Sequence, residues 1–321
     1  MRTLQRNIPF LATVVVCALL YIVAGARYDG FASVRVLVNF FGDNSFLGIA
    51  AIGLTFVILS GGIDLSIGGM VGLVSVFLAL AIEKWHWHAL LAIPLALFIG
   101  VIFGGAMGAL IQYFALPPFL VTLGGMFFAR GLALLLSLES LPIARFLDSI
   151  NSSLSISLGQ FDLPATAILF LLVFAGAFVF AHCTRFGRAI YALGGNEQSA
   201  ALMGLPIART KIGVYALSGF CSALAGVVYC LYTQSGNPNA GSGLELDAIA
   251  AVVIGGTLLS GGVGYVTGTI VGVLIFGIIQ TAIVFQGTLS SWWTKIVIGV
   301  LLLLFILLQK LFQAKKFQSS K

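Results

Sequence analysis

The sequence predicts an all-α integral membrane protein with about ten transmembrane helices, and three observations support this fold class. Lys, Arg, Asp and Glu make up only 8% of the 321 residues, against roughly 25% in soluble globular proteins. Hydrophobic residues make up 60%, and they are gathered into runs of about 20 residues, the length of a spanning helix. So few charges cannot cover a water-soluble fold or a nucleic-acid interface, although the net charge is +6.

Ten apolar runs, separated by polar residues or by Gly and Pro, are candidate spans. A helix satisfies its own backbone hydrogen bonds in lipid, and the runs are too long for the strands of a barrel. The second and eighth runs are short and end in glycine, so either is a candidate broken or half helix. The runs lie near residues 8–25, 46–60, 65–82, 88–113, 119–137, 163–182, 210–233, 246–260, 264–286 and 292–310.

The first run follows Arg2 and Arg6 and ends in Ala24-Gly25-Ala26, a pattern that also occurs at signal-peptidase sites. The stretch from Ile8 to Ala24 is longer than the usual core of a signal peptide and close to the length of a spanning helix. We therefore expect a retained first span.

Basic residues are distributed unevenly between the two sides that ten crossings define. The positive-inside rule places Lys and Arg near span ends in the cytoplasm. We therefore predict cytoplasmic termini and a single transmembrane domain, residues 1–321, with a cytoplasmic segment 183–211 and a periplasmic loop 138–162. The cytoplasmic side then holds Arg2, Arg6, Arg185, Arg188, Arg209, Lys211, Lys310, Lys315, Lys316 and Lys321, and the other side holds Arg27, Arg35, Lys84 and Arg145.

Short motifs recur at an offset of 200 residues, which indicates a duplicated half. Transporters are often built from such repeats, and paired Gly-interrupted spans in the two halves point to the transport pathway. Six crossings separate the copies, so they should point the same way unless a segment is re-entrant. Coincidence between two Gly-rich stretches is the alternative. The matches are Ile49–Ile52 with Ile249–Val252, Leu59–Ile63 with Leu259–Val263, and Gly68 and Gly72 with Gly268 and Gly272.

Glycines also recur at a spacing of four in the fourth and ninth runs. Small residues at this spacing form a flat stripe on which helices approach closely in lipid. We expect tight packing within the chain, with a dimer seam as the alternative. The stripes are Gly100, Gly104 and Gly108, and Gly264, Gly268 and Gly272.

The basic segment 183–211 contains a predicted short helix. Asn196 is a favourable N-cap, Glu197 suits the first turn, and Gly204 with Pro206 closes the helix. Ala200, Leu202 and Met203 would give it an apolar patch, which marks a docking site for a partner. A helix lying on the membrane surface is the alternative. No G-x-x-x-x-G-K-[ST] phosphate loop occurs, so ATP-driven transport would need an ATPase on another polypeptide.

Three segments, Ser60–Gly68, Tyr191–Leu205 and Val253–Gly264, resemble the membrane permease subunits of ribose-type ATP-binding-cassette sugar importers. Glu245–Ala250 and Gly287–Lys295 look most like a permease of bacterial galactofuranose importers. The resemblance implies a second permease subunit, an ATP-binding cassette subunit and a periplasmic sugar-binding protein. It also implies that Asn196–Gly204 is the coupling helix seated on the ATPase, with Asn196, Glu197, Ser199, Ala200, Met203 and Gly204 as its residues.

Two charged residues lie in or beside apolar runs, where ionisable groups are functional candidates. Asp64 either takes part in the pathway or, as we favour, caps the following helix near Ser66. Arg130 should face a carboxylate, a carbonyl or water, and a structural ion pair is favoured over a solute contact. The candidate pathway or gating residues are Ser60, Gly61, Gly62, Asp64, Arg130, Ser260, Gly261 and Gly262.

Glu245 and Asp247 precede the eighth run on the predicted outer side. They are candidate periplasmic contacts, either for a binding protein or for sugar hydroxyls, or else first-turn acids that stabilise a helix. Lys295 is expected to reach the membrane interface. Trp85-His86-Trp87-His88 offers two histidines without a third ligand nearby, so no metal site and no cofactor are expected.

The sequence therefore predicts a non-catalytic, multi-pass subunit of the bacterial inner membrane that passes a small sugar, most simply a furanose, to the cytoplasm. An ion-coupled secondary transporter using Asp64 and Arg130 is one alternative. A permease of the same architecture for branched-chain amino acids or another solute is a second. No Ser/His/Asp set or paired carboxylates that would indicate an enzyme were found in the sequence.

Overall fold

The computed structural model describes residues 2–143, 156–158, 161–290 and 292–318. Helices dominate this part of the chain, and the predicted all-α class is confirmed. The helices are α1 Arg2–Arg27, α2 Val34–Asp43, α3 Ser45–Leu59, α4 Ile67–Ala79, α5 Ala89–Tyr113, α6 Pro118–Leu136, α7 Ala165–Cys183, α8 Arg185–Gly195, α9 Glu197–Leu202, α10 Ile207–Thr233, α11 Leu244–Ile254, α12 Val266–Gln286 and α13 Trp292–Gln318.

Among the residues that the structure describes, four short strands form two antiparallel pairs. β1, Leu141–Pro142, pairs with β4, Ser235–Gly236, and so links the segments that follow α6 and α10. β2, Ile156–Leu158, pairs with β3, Phe161–Leu163. Both β2 and most of β3 fall in the predicted periplasmic loop 138–162; its Arg145 lies outside the described residues.

Eight helices in the described part of the chain are long and apolar enough to cross a membrane: α1, α4 with the π-helical turn Leu80–Lys84 that extends it, α5, α6, α7, α10, α12 and α13. The pair α2 and α3, bent by 56°, makes a ninth if counted as one span. The eighth apolar run holds α11, whose 11 residues extend only about 16 Å at 1.5 Å per residue. The two runs that looked short are thus a bent span and a half helix.

The first apolar run is part of the bundle, because α1 packs against α12. The retention of this run as a first span stays a prediction. We call the end of the bundle that carries α9 the inner end, since the positive-inside rule predicts that it faces the cytoplasm. The end with β1 and β4 is the outer end.

The core of the bundle consists of α3, α4 and α10, with α11 and α12 packed beside them. Nearly every residue of α3 is buried. The helices α5, α6, α7 and α13 surround this core and expose large apolar side chains such as Leu135, Leu172 and Leu303. An apolar periphery of this kind suits a hydrocarbon environment, where lipid replaces water as the solvent.

The glycine stripe of the fourth run packs within the chain. Gly100, Gly104 and Gly108 lie on the face of α5 that contacts α10, opposite Gly219 and Tyr215. A Cβ added at any of the three would come under 3.0 Å from backbone atoms of α10. The expectation of intrachain packing is confirmed, and this face is closed to a dimer seam.

The second stripe behaves in the same way. Gly268 and Gly272 of α12 lie against the backbone of Gly255 and Ala251, at the end of α11. Gly264, just before α12, lies against the Thr257 side chain. The absence of side chains lets α11 and α12 approach backbone to backbone.

Candidate functional site

The short helix predicted after Asn196 is present as α9. The Asn196 side-chain Oδ1 accepts a hydrogen bond from the Ser199 amide at 2.7 Å, which is the N-cap that the sequence predicts. The helix ends at Leu202 and is followed by Gly204, whose φ of +77° places it in the left-handed region. The Gly204 and Leu205 amides donate to the carbonyl oxygens of the last turn. The start and the end of this helix could therefore be predicted from the sequence.

The expected apolar patch on α9 needs one correction. Ala200 is fully buried, because this small side chain faces α8 and α10, on which α9 rests. Leu202 and Met203 are 90% and 70% exposed. We call Leu202 and Met203 the docking surface; Ala200 instead provides the seat of the helix.

An ion pair fixes α9 to α10. The Lys211 ammonium group donates to the Glu197 carboxylate at 2.6 Å. The Glu197 side chain is about half exposed, so the pair contributes at most about 1 kcal/mol. Beside it lies an open cleft of about 590 Å³. Its lining residues are Asn196, Glu197, Gln198, Ala201 and Ile207.

The two repeated motifs form matching turns that touch each other. Gly61 and Gly261 have nearly the same left-handed φ, +85° and +82°, which only glycine adopts readily. A Cβ added at Gly261 would lie 2.8 Å from the Gly61 backbone. The Leu59 carbonyl oxygen accepts a hydrogen bond from the Gly262 amide at 2.9 Å. The candidate gating glycines predicted from the repeat are thus brought together.

The last two residues of α8 join these turns. A Cβ added at Gly194 would come under 3.0 Å from the Leu59 carbonyl and the Gly262 nitrogen, and one added at Gly262 would lie 2.7 Å from the Gly195 Cα. Sequence reasoning did not single out Gly194 or Gly195 as site residues. A Gly-Gly pair directly before the Asn196 cap was the available signal. We call Gly61, Gly194, Gly195, Gly261 and Gly262 the glycine junction.

The remaining small candidates lie around this junction without forming a polar site. The Ser60 hydroxyl donates to the Val57 carbonyl of its own helix at 2.7 Å. Ser260 is exposed. Gly62 is buried and packs against Tyr215 and Val57.

Asp64 is fully enclosed. Its Oδ1 accepts from the Ser66 amide at 2.9 Å and the Ser66 hydroxyl at 2.7 Å. Its Oδ2 accepts from the Ser218 hydroxyl at 2.7 Å. The predicted backbone bond near Ser66 is thus present, but Ser66 and not Asp64 is the N-cap residue of α4, so Asp64 orders the turn before the helix rather than capping it. The bond to Ser218 ties this turn to α10. In this conformation the carboxylate has no open face toward a solute.

Arg130 holds backbone. Its Nη1 donates to the Pro238 carbonyl at 2.5 Å and to the Ala240 carbonyl at 2.6 Å. The expectation of a carbonyl partner is confirmed, whereas the favoured ion pair is not formed: within the described ranges no carboxylate oxygen lies within 4.0 Å of the guanidinium. The guanidinium therefore organises the segment between α10 and α11.

Glu245 and Asp247 lie in the first turn of α11, not in a loop before it. The Asp247 carboxylate accepts a hydrogen bond from the Lys295 ammonium group of α13. This lysine, which was expected to reach the membrane interface, thus also has a partner within the chain. Glu245 lies beside Gly68, at the start of α4. Arg130 lies beside Gly72, one turn further along α4, so the structure brings Glu245 near Arg130.

In the Trp85–His88 motif, His88 serves local structure. The His88 Nδ1 accepts from the Leu90 amide at 3.3 Å and so caps α5. Among the residues that the structure describes, no group of three His, Cys, Asp or Glu could hold a metal ion.

Comparison with known protein families shows which family the chain belongs to. A family described as the permease component of the branched-chain amino acid transport system matches residues 36–306. The chain belongs to this permease family. The inner membrane ABC transporter permease protein YjfF of Escherichia coli is 52% identical over 96% of this chain and 93% of its own length.

Two further relatives are named for sugars. The fructose import permease FruG of Bifidobacterium longum is 38% identical, covering 95% of this chain and 92% of the relative. The ribose import permease RbsC of Bacillus subtilis is 37% identical, covering 96% and 93%. No solved structure matches.

These findings confirm three expectations. The chain is a permease similar to the permease subunits of ribose importers. It is a multi-pass inner membrane protein and a non-catalytic subunit. Hydrolysis of ATP in such importers belongs to a separate subunit, which agrees with the absence of a phosphate loop from this sequence.

Proposed function

We propose that the chain is one of two permease subunits of an ATP-binding-cassette importer for a monosaccharide, and that the sugar is galactofuranose or a related furanose. The names of the ribose and fructose import permeases support a monosaccharide. The segments Glu245–Ala250 and Gly287–Lys295, which resemble galactofuranose importers, support a furanose. The partners are an ATP-binding cassette subunit, a second permease, identical or different, and a periplasmic sugar-binding protein.

One observation carries this proposal, namely that the docking surface and the glycine junction are continuous along the chain. Asn196, the cap of α9, directly follows Gly195, whose backbone lies against Gly262. A partner that moves α9 therefore pushes on both repeat turns through backbone contacts. Because α4 and α12 begin just after these turns, the movement reaches one core helix, α4, and the helix α12 packed beside the core. An external motor coupled in this way supports alternating access.

The alternatives receive less support. Asp64 is enclosed by serine donors and Arg130 is bonded to carbonyls, so neither belongs to the connected series of ionisable groups that an ion-coupled carrier uses. A permease for branched-chain amino acids would share the architecture, and the printed family description names that solute class. The relatives named for ribose and fructose favour a sugar.

Reconstitution in liposomes tests the proposal. The chain alone should move no sugar against a gradient. Together with its ATPase, second permease and binding protein, it should give uptake that requires ATP and is blocked by vanadate. Concentrative uptake by the chain alone, or uptake abolished by an uncoupler, contradicts the proposal.

A surface variant tests the assignment of the coupling helix. The pair Leu202→Asp and Met203→Asp places two charges where an apolar interface would form, and burying an unpaired charge is costly. We expect the ATPase to be lost on purification in mild detergent. The matched control is Leu138→Asp, which changes an exposed leucine just after the C-terminal end of α6. This variant should retain the ATPase. Equal retention by both variants contradicts the assignment.

A further inference from the structure

Residues 235–243, between α10 and α11, turn back into the bundle alongside α4. Gly236 packs against Ser75 and Ala79, near the outer end of α4. The Asn237 amide donates to the Ser75 hydroxyl at 3.1 Å. Gly241 lies against Gly68, at the start of the same helix. The chain thus follows α4 for about 16 Å, taking 1.5 Å per helical residue. We call residues 235–243 the re-entrant segment.

The inner end of this segment lies at the depth of the middle of the bundle. Asp64, just before Gly68, is bonded to Ser218 of α10. Val71, just after Gly68, packs on Gly226 of α10. Gly68 is therefore level with a point between Ser218 and Gly226, the middle of a 27-residue helix. Glu245, beside Gly68, lies at the same depth.

One face of the re-entrant segment is held by the protein. Pro238 and Ala240 are buried, and their carbonyl oxygens accept hydrogen bonds from Arg130. Irregular backbone at membrane depth is tolerated only where protein buries it or water reaches it. Arg130 supplies the first condition, and so it acts as a positioning residue for the segment.

The other face is polar and uncovered. The Asn239 and Ser242 side chains are exposed, and the Ser242 amide donates to the Asn239 carbonyl at 3.3 Å, which places both residues in one turn. Glu245 follows by another three residues. One of its carboxylate oxygens, Oε2, is buried and has no hydrogen-bond partner among the described residues. An exposed amide and an exposed hydroxyl facing lipid at this depth would be costly, and a buried carboxylate oxygen without a donor is costly as well, so we expect this face to adjoin water.

We infer that Asn239, Ser242 and Glu245 form part of the wall of the transport pathway and bind hydroxyl groups of the solute. The amide, hydroxyl and carboxylate groups accept and donate the hydrogen bonds that a neutral polyhydroxy compound offers. This inference rests on the proposed sugar importer and names the residues that contact its solute. Two alternatives, that this face meets lipid or is sealed by protein, are outcomes of the test.

Cysteine labelling tests exposure to water without requiring transport. Asn239→Cys and Ser242→Cys are made in a background that carries Cys17→Ser and Cys183→Ser, because Cys17 is partly exposed and Cys183 is exposed, whereas Cys221 and Cys230 are buried. The control is Leu172→Cys, 63% exposed near the middle of α7 on the lipid-facing periphery. In membranes that hold the complete importer, a charged methanethiosulfonate reagent should modify the two pathway cysteines at least about tenfold faster than the control, because only thiols in water ionise readily.

Labelling as slow as that of Leu172→Cys would place Asn239 and Ser242 against lipid or protein and would overturn the inference. The proposed function would be unaffected, because the importer could still transport by another route. Failure of the unmodified importer to take up any sugar would instead reject the proposed function, so the two failures are distinguishable.

Uptake tests the contact with the solute. Radiolabelled galactose and ribose serve as probes in cells carrying the complete importer. Ser242→Ala and Glu245→Gln should each raise the half-saturating concentration or lower the maximal rate by about three- to tenfold, as expected for a lost hydrogen bond. Thr288→Ala, an exposed hydroxyl between α12 and α13, is the matched control and should be neutral. Normal uptake of both probes by both variants, at normal expression, would overturn the contact.

Discussion

Gly194→Ala is the sharpest test of the glycine junction, because the same substitution at the neighbouring Gly195 serves as its control. The added methyl group at Gly194 would come under 3.0 Å from the Leu59 carbonyl and would lie 2.6 Å from the Gly262 nitrogen. Both are backbone atoms, so relief requires a shift of a repeat turn or of α8. At Gly195 the same methyl group would meet nothing within 4 Å.

The expected cost follows from two opposing effects. Overpacking a closely packed site costs about 1–3 kcal/mol. Alanine is favoured over glycine inside a helix by about 1 kcal/mol, which offsets part of that cost. Gly194→Ala should therefore lower the free energy of unfolding by about 0–2 kcal/mol relative to the unmodified chain, whereas Gly195→Ala should leave it equal or slightly higher.

The functional effect should exceed the loss of stability. With α8 displaced, the ATPase should still bind α9, but its movement should reach the repeat turns less well. We expect ATP-dependent uptake by Gly194→Ala to fall by about fivefold or more, in the range of typical coupling energies, while ATPase co-purification is retained. Thermal denaturation in detergent, co-purification and uptake are measured in parallel. Equal uptake by Gly194→Ala and Gly195→Ala would refute the reasoning.

Four other substitutions have defined outcomes. Arg130→Gln leaves two buried carbonyls without their guanidinium donor and should cost about 1–3 kcal/mol, measured by thermal denaturation; an unchanged midpoint argues against its positioning role. Ser218→Ala removes one of three donors to the enclosed Asp64 and should also cost about 1–3 kcal/mol. Gly104→Ala should reduce the amount of folded protein in membranes by separating α5 from α10, whereas Gly105→Ala, with 3.8 Å to its nearest neighbour, should not. Lys211→Ala should change stability by no more than about 1 kcal/mol, and a larger loss would show that its ion pair with Glu197 matters more than its exposure suggests.

Local signals in the sequence were sufficient to predict the helix α9. The Asn196 cap and the left-handed Gly204 depend on neighbouring residues, so their residue types alone predict the start and end of α9. The side on which Ala200 lies could not be predicted, since a helix of six residues has too few apolar positions to define a face. Its burial depends on α8 and α10, which only the folded chain brings beneath it.

Contacts between residues that are distant in the sequence were harder to predict. The repeat at an offset of 200 identified Gly61 and Gly261, but their contact with Gly194 joins three segments of the fold. The eighth apolar run also had enough length to resemble a span. Its helix stops at Ile254 because Gly255 and Gly256 follow, and Gly256 has a φ of +92°. Hydropathy alone cannot distinguish such a half helix from a short span, because both bury apolar side chains.

The long helix α10 connects the two regions to which roles are assigned. It starts close to α9, to which Lys211 is bonded, and it leads into the re-entrant segment at its other end. With 27 residues, it is a rod of about 40 Å. A tilt of about 5° around its midpoint would displace each end by about 2 Å, given that length. A lever of this size would let a small motion at one membrane surface widen or narrow a passage near the other.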